Sequence, residues 1–272
     1  MKRRNLFKVV SAVAASAALG LSLGAQAQDK VIKVGTVAGP DAQVWQVVQK
    51  VAKEKQGLNV KVIEFNDYVQ PNAALDAGDL DANSFQHQPY LDSQVKQRGY
   101  KIVSAGLTYI SPIGVYSKKY KSLKDLPEGA KLAVPNDPSN ENRALLLLLQ
   151  AQGVIKLKAG AGTGGNNATV LDVASNPKKL KLTELDAAQL PRVLGDVDAA
   201  VINTNYAIAA NLQPTKDAIA LESLTSPYAN LIAVRAQDKN QPWVKKLVAA
   251  YQSPEVKDYI NKQFKGSMVP SF

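Results

Sequence analysis

The 272 residues suffice for one large domain or two of ordinary size, and 46% apolar with 21% charged residues exclude collagen-like, low-complexity and disordered chains. The absence of cysteine and a single histidine, His87, exclude disulfide scaffolds, thiol nucleophiles, iron–sulfur clusters, thiolate zinc sites and any site needing two imidazoles. The formal charge of +10 does not point to nucleic acid, because the basic residues are scattered and no stripe of arginines and aromatics forms a stacking platform.

Residues 1–27 read as a secretory signal peptide. Lys2, Arg3, Arg4 and Lys8 are followed by an uncharged run from Val9 to Leu23 and then by Ala25-Gln26-Ala27. The run is shorter than the roughly 18–20 residues that span a bilayer, which disfavours the other reading, a membrane anchor. Arg3-Arg4 with Leu6-Phe7-Lys8 has a twin-arginine character, which concerns the export route and not the destination. Cleavage after Ala27 lowers Lys+Arg from 33 to 29 against 23 acids, so the mature chain carries about +6. No cysteine follows the cleavage site, so no lipid can be attached there.

Val31–Val37 reads as a strand ended by Gly39-Pro40. Asp41 is expected to cap a helix whose apolar residues Val44, Trp45, Val47, Val48, Val51 and Ala52 repeat with the period of one buried face, ending at Gly57. Leu58–Phe65 is the next strand, which completes a βαβ unit. Further strands are expected at Asp81–Phe85, Lys101–Ala105, Ile113–Tyr116, Lys131–Val134, Leu180–Glu184, Ala199–Asn203 and Leu231–Arg235. Helices are expected at Pro89–Arg98, Asn140–Gln152, Ala187–Leu194, Pro242–Tyr251 and Pro254–Phe264, and a glycine-rich loop at Lys158–Ala168. Strands alternating with helices imply an α/β fold with mainly parallel sheets. No long linker appears, which allows two lobes joined by short crossovers.

Ligands in open α/β sheets lie beyond the carboxyl ends of strands. The residues found there are Asn66-Asp67-Tyr68, Phe85-Gln86-His87, Tyr109, the run Pro135–Arg143, Asn203 and Tyr228-Ala229-Asn230. They contain aromatics, amides, one imidazole and one arginine, and no nucleophile–base pair. Arg143 stands early in a helix, where a cation opposes the dipole unless an anion is near. It and the helix N–H groups can make a carboxylate site, or the arginine can pair with Glu141 or another acid. Asn203 and Asn230 can accept from an α-amino group, or cap and turn the chain. Tyr68, Phe85 and Tyr109 can line an apolar pocket, or belong to the core. His87 has no metal partners and no nucleophile elbow, which leaves a pocket wall or a structural role.

The stretches FNDYVQPNAALDAGDLDANSFQHQPYLD, VPNDPSNENRALLLLLQ, ELDAAQLPRVLGDVDAAVINTNYA and SPYANLIAVR together resemble the methionine-binding substrate-binding proteins of ABC importers, the MetQ/NlpA lipoprotein family. The resemblance runs from about Val31 to Phe264. It implies a periplasmic-binding-protein fold: two α/β lobes, 28–110 with 222–272 and 111–221, joined by two short crossovers around a ligand cleft. It implies a periplasmic monomer that is not an enzyme, uses no cofactor or metal, and delivers methionine, L or D, to an inner-membrane permease. Another amino acid, a methionine-containing dipeptide or a small organic acid is the alternative ligand. It assigns the carboxylate to Arg143 with Asn140 nearby, the α-amino contacts to Asn203 and Asn230, and the side-chain pocket to Tyr68, Phe85, His87 and Tyr109. Three features depart from the family pattern: the lipidated cysteine is absent, Pro112-Ile113-Gly114 replaces Pro-Met-Gly, and the loop Gly160–Asn167 is longer.

Overall fold

In the computed structural model, which describes residues 30–225 and 227–272, β1 (Ile32–Val37) enters α1 (Pro40–Gln56) through Gly39, whose φ of 102° opens the turn. The expected signal peptide at 1–27, and the first residues of the expected lobe from 28, lie outside the described residues. Gly39 is the N-cap of α1 and Pro40 its first residue, where a missing N–H is harmless. Asp41, expected as the cap, instead lies buried in the first turn. The apolar stripe packs as its period requires, with Val44, Trp45, Val48, Val51 and Ala52 all buried. Gly57, left-handed at φ 60°, ends the helix.

The series continues with β2 (Val60–Phe65), α2 (Gln70–Ala77), β3 (Ala82–His87), α3 (Gln88–Arg98), β4 (Ile102–Leu107) and β5 (Tyr109–Ile110). The chain then crosses to β6 (Gly114–Tyr116), β7 (Lys131–Pro135) and α4 (Pro138–Asn142), which continues as a π-helix over Arg143–Gln150. Next come β8 (Lys156–Leu157), β9 (Val173–Ser175), β10 (Lys181–Leu185), β11 (Ala199–Ile202), α5 (Thr204–Ala209), α6 (Pro214–Asp217) and β12 (Ala220–Leu221). The chain returns through β13 (Asn230–Arg235), α7 (Pro242–Tyr251), α8 (Pro254–Phe264) and β14 (Val269–Pro270).

Two five-stranded sheets result, in the orders β2-β1-β3-β13-β4 and β10-β7-β11-β6-β12. Each is mixed, with two parallel and two antiparallel pairings, where mainly parallel sheets were expected. The reason lies in the path of the chain. β13 comes back from the other lobe and inserts between β3 and β4 against their direction, so the parallel β3–α3–β4 crossover survives with a reversed strand inside it. Trp45, Tyr251, Ile260 and Phe264 pack on the first sheet, and Leu145, Leu148, Leu149, Leu132 and Val201 form the core of the second. The architecture is two α/β lobes, one around each five-stranded sheet, joined by two short crossovers that follow β5 and β12. The crossovers are tied together: the Glu222 N–H donates to the Ile113 carbonyl at 3.0 Å and the Ile113 N–H to Glu222 Oε2 at 3.0 Å.

Three helical expectations change. Ala187–Leu194 forms turns and a short 3-10 segment at Arg192–Gly195, because Pro191 removes a helical N–H and disfavours helix at the residue before it. The helix expected from Asn140 starts at Pro138, capped by the Asp137 side chain. Helices α2, α5 and α6, of 8, 6 and 4 residues, are too short to show a periodic stripe.

Candidate functional site

The cleft is built where β3 ends. In the pairing of β13 with β3, Leu231 faces Gln86 and Ile232 faces Ser84, so Phe85 is the extra residue of a bulge. A bulge re-aims side chains and leaves backbone groups without ladder partners. The Asn230 side-chain N–H satisfies the Phe85 carbonyl at 3.4 Å. Beneath the bulge three buried amides bond to each other. Asn72 Nδ2 donates to Gln86 Oε1 at 2.8 Å, Gln86 Nε2 to Asn72 Oδ1 at 2.6 Å and to Asn83 Oδ1 at 2.9 Å, and Asn83 Nδ2 to Asn72 Oδ1 at 2.8 Å. A satisfied buried polar network admits one arrangement of its members, which holds this irregular strand end in place.

His87 caps α3: its Nδ1 accepts from the Tyr90 N–H at 3.2 Å. The ring proton therefore sits on Nε2, which donates to Asn140 Oδ1 across the cleft at 3.2 Å. Burial, and then the Arg143 charge, push the imidazole pKa down to about 3, so it is neutral. Asn140 Oδ1 also accepts from Asn203 Nδ2 at 2.9 Å, and Asn140 Nδ2 donates to the two Asp137 carboxylate oxygens at 3.1 and 3.0 Å. Asn203 occupies the N-cap position of α5, yet its side chain makes no cap bond. Its Oδ1 is buried without a hydrogen-bond partner among the described residues.

Arg143 is buried and faces the same cleft. It stands beyond the first turn of its helix, and Asp137 already accepts the Asn140 N–H, so the expected pairing of guanidinium with free helix N–H groups does not occur. The acid partner is Glu222, not Glu141, whose Oε1 accepts the Val170 N–H at 2.8 Å. Arg143 Nε donates to Glu222 Oε2 at 2.8 Å, and Nη2 donates to Glu222 Oε2 and to the Ser111 carbonyl, the latter at 2.6 Å. The Tyr228 ring lies 4.8 Å from the guanidinium carbon. Nη1 is left without a hydrogen-bond acceptor among the described residues.

The other end of the cleft is aromatic. The Tyr68 ring lies 5.9 Å from Phe85, 6.1 Å from Tyr90 and 5.0 Å from Tyr206, and its hydroxyl donates to Asn205 Oδ1 at 2.7 Å. The Tyr109 hydroxyl donates to Asp41 Oδ1 and meets the Asn230 side chain. Burial raises the Asp41 carboxyl to about 7.

All eight residues singled out in the sequence line one cavity: Tyr68, Phe85, His87, Tyr109, Asn140, Arg143, Asn203 and Asn230. Sequence reading missed Tyr90, Ser111 and Asn205 in its lining and Glu222 behind Arg143, and it placed Tyr228 beside Asn230 without giving it a role against the guanidinium. Asn205 follows Asn203 by two residues, so proximity to a marked position was the available signal there. Glu222 carries no local signal at all. The cavity therefore offers one unpaired cationic N–H edge, one unpaired amide oxygen and a ring-lined end.

The model of the NlpA lipoprotein family matches residues 32–272. The chain belongs to that family. A relative in Salmonella typhimurium, the D-methionine-binding lipoprotein MetQ, is 53% identical over 270 residues, covering 97% of this chain and 98% of that one. A solved nutrient-binding protein from Burkholderia cenocepacia, bound to methionine, is 91% identical with a TM-score of 0.88, covering 89% of this chain and all of that one. The periplasmic substrate-binding protein of an ABC transporter from Coxiella burnetii is 54% identical with a TM-score of 0.84, covering 88% of this chain and all of that one. The fold is thus the periplasmic-binding-protein fold of these neighbours, and the relatives named here are binding proteins.

Proposed function

We propose that this chain is the substrate-binding protein of an ABC importer, capturing methionine between its lobes and presenting it to a membrane permease. The observation that carries the reading is the pairing of opposite unmet needs in one cavity: Arg143 Nη1 lacks an acceptor and Asn203 Oδ1 lacks a donor. A zwitterion supplies a carboxylate to the first and an ammonium to the second. Stripping water from a carboxylate is costly unless fixed donors replace it, and a buried amide oxygen without a partner costs about 1–3 kcal/mol, which an ammonium relieves.

In this reading Asn230 assists Asn203 at the ammonium, while Phe85, Tyr68, His87 and Tyr109 enclose the thioether. Sulfur–aromatic contacts contribute about 0.3–1.5 kcal/mol. The side chain of Asn140 is committed to Asp137, His87 and Asn203, so its role is to orient the other two. The lobes are 28–110 with 222–272 and 111–221, and they hinge at the tied crossovers. Tyr68 to Asn205 and His87 to Asn140 are the bonds that closure makes. The segment 1–27 directs export and is removed after Ala27. With no cysteine to carry the lipid of its lipoprotein relatives, the exported chain in this reading is free in the periplasm, as a monomer.

Native mass spectrometry of protein purified without added ligand, followed by denaturation, tests the proposal. Release of a species with the mass of methionine is expected. Release of a methionine-containing dipeptide or another metabolite overturns the ligand assignment, and product formed from an amino-acid derivative overturns the binding-protein reading.

A further inference from the structure

We propose that Glu222 sets the charge class of ligand the cleft accepts, admitting net-neutral zwitterions and excluding anions of the same shape. The inference rests on the reading of the cleft as a methionine site and adds a specificity determinant to it. Glu222 stands in the return crossover, 79 residues from Arg143. The two side chains are 1% and 4% exposed, so water screens neither charge. Glu222 Oε2 accepts from Arg143 Nε, Arg143 Nη2 and the Ile113 N–H, while Oε1 is buried with no partner among the described residues.

The consequence is electrostatic. Arg143 is the one Lys or Arg among the residues lining the cavity, and its charge is already met by a carboxylate before a ligand enters. His87 adds no charge, since burial keeps its imidazole neutral. Asp137, at the cap of α4 behind Asn140, carries no positive charge that would favour an anion. A ligand with a carboxylate alone therefore brings an uncompensated negative charge to a guanidinium that Glu222 already pairs on its other edge. An amino acid brings its own counter-charge. A site built to take any carboxylate would leave its arginine unneutralised. Here one face of the guanidinium is spent on Glu222 and only Nη1 is offered, which keeps the directional bond while cancelling the net attraction for anions. Coulomb repulsion between like charges a few ångströms apart in such a site shifts affinity by about tenfold or more.

The test compares methionine with 4-(methylthio)butanoate, which keeps the carboxylate and thioether and lacks the ammonium. Calorimetric titration yields the ratio of the two dissociation constants for the native protein and for Glu222→Gln, Arg143→Gln and the double variant. Glu222→Gln should lower the ratio about tenfold or more by favouring the anion. Arg143→Gln should raise it, and the double variant, which buries neither charge, should return it to the native value. If Glu222→Gln does not fold, the step from Arg143→Gln to the double variant reads the same carboxylate. If neither single variant folds, the double variant must keep the native ratio. A ratio unmoved by Glu222→Gln in the native or the Arg143→Gln background, equal weakening of both ligands by that substitution, or native binding of the anion as tight as that of methionine overturns the inference. If the native protein binds neither ligand, the methionine reading itself fails, which is a distinct outcome.

Discussion

Asn203 separates a binding role from a structural one, because its buried side chain is incompletely satisfied by the protein. Replacing it with Ala removes the Nδ2 bond to Asn140 Oδ1, which still accepts from His87. That loss costs about 0.5–1.5 kcal/mol. The substitution also removes Oδ1, the buried acceptor with no partner, and relieves about 1–3 kcal/mol of desolvation. The N-cap contribution is small because the side chain makes no cap bond. The unliganded Asn203→Ala protein should thus be within about 1 kcal/mol of the native one, or slightly more stable, which is a change in Tm of about 2–4 °C for a chain of this size. Binding should suffer differently. A hydrogen bond to a charged ammonium is worth about 1.5–3 kcal/mol, so methionine affinity should fall about tenfold to 150-fold. Thermal melts of the unliganded protein and calorimetric titrations of the same preparation measure both quantities. A Tm lowered by more than about 8 °C with affinity intact would refute the reasoning, since Asn203 would then be a structural residue.

Saturating methionine, at 100 times its dissociation constant, should stabilise the protein by about 2.7 kcal/mol and raise Tm by about 6–10 °C; an unmoved melt argues against the ligand. Gln86→Leu leaves the amides of Asn72 and Asn83 partly unmet beside the bulge. It should lower stability by about 2–4 kcal/mol in denaturant titrations and weaken methionine binding as Phe85 and His87 lose their support. Asp41 and His87 should oppose each other in the pH dependence of folding. The folded Asp41 holds its proton up to about pH 7 against an ordinary 3.8, so its stabilising contribution is complete below pH 3.8 and is lost as pH rises through 7. His87 is held neutral down to about pH 3 against 6.5, so its contribution is present above pH 6.5 and lost as pH falls toward 3. Urea titrations of Asp41→Asn between pH 4 and 7 should show stability rising with pH more steeply than in the native protein, and those of His87→Gln the reverse; parallel profiles for all three proteins would exclude both assignments.

The amphipathic helix α1 and the β1–α1–β2 unit were legible because their signals are local: an apolar stripe at helical spacing, a Pro at the start and a left-handed Gly at the end. The eight cleft residues were legible for a related reason. Each lies near a strand end or in the first two turns of a helix, where polar and aromatic side chains interrupt the apolar pattern of the neighbouring elements. The bulge at Phe85 was not legible, because it depends on how β13, far along the chain, registers against β3. The mixed pairing was missed on the same ground: strand direction is set by which strand inserts beside which, and no residue within β13 records its neighbours.

The chain by itself therefore determined the alternation of strands and helices, the polar and aromatic character of the strand ends and the family to which they belong, since these arise from contacts between residues close in sequence. Only the tertiary structure decided which charge meets Arg143. Glu222 and Arg143 lie far apart along the chain, and their pairing exists because two crossovers lie side by side and exclude water between them. An ion pair made by burial and long-range chain return leaves no periodic or local trace in sequence, although it governs which ligands the cleft can hold.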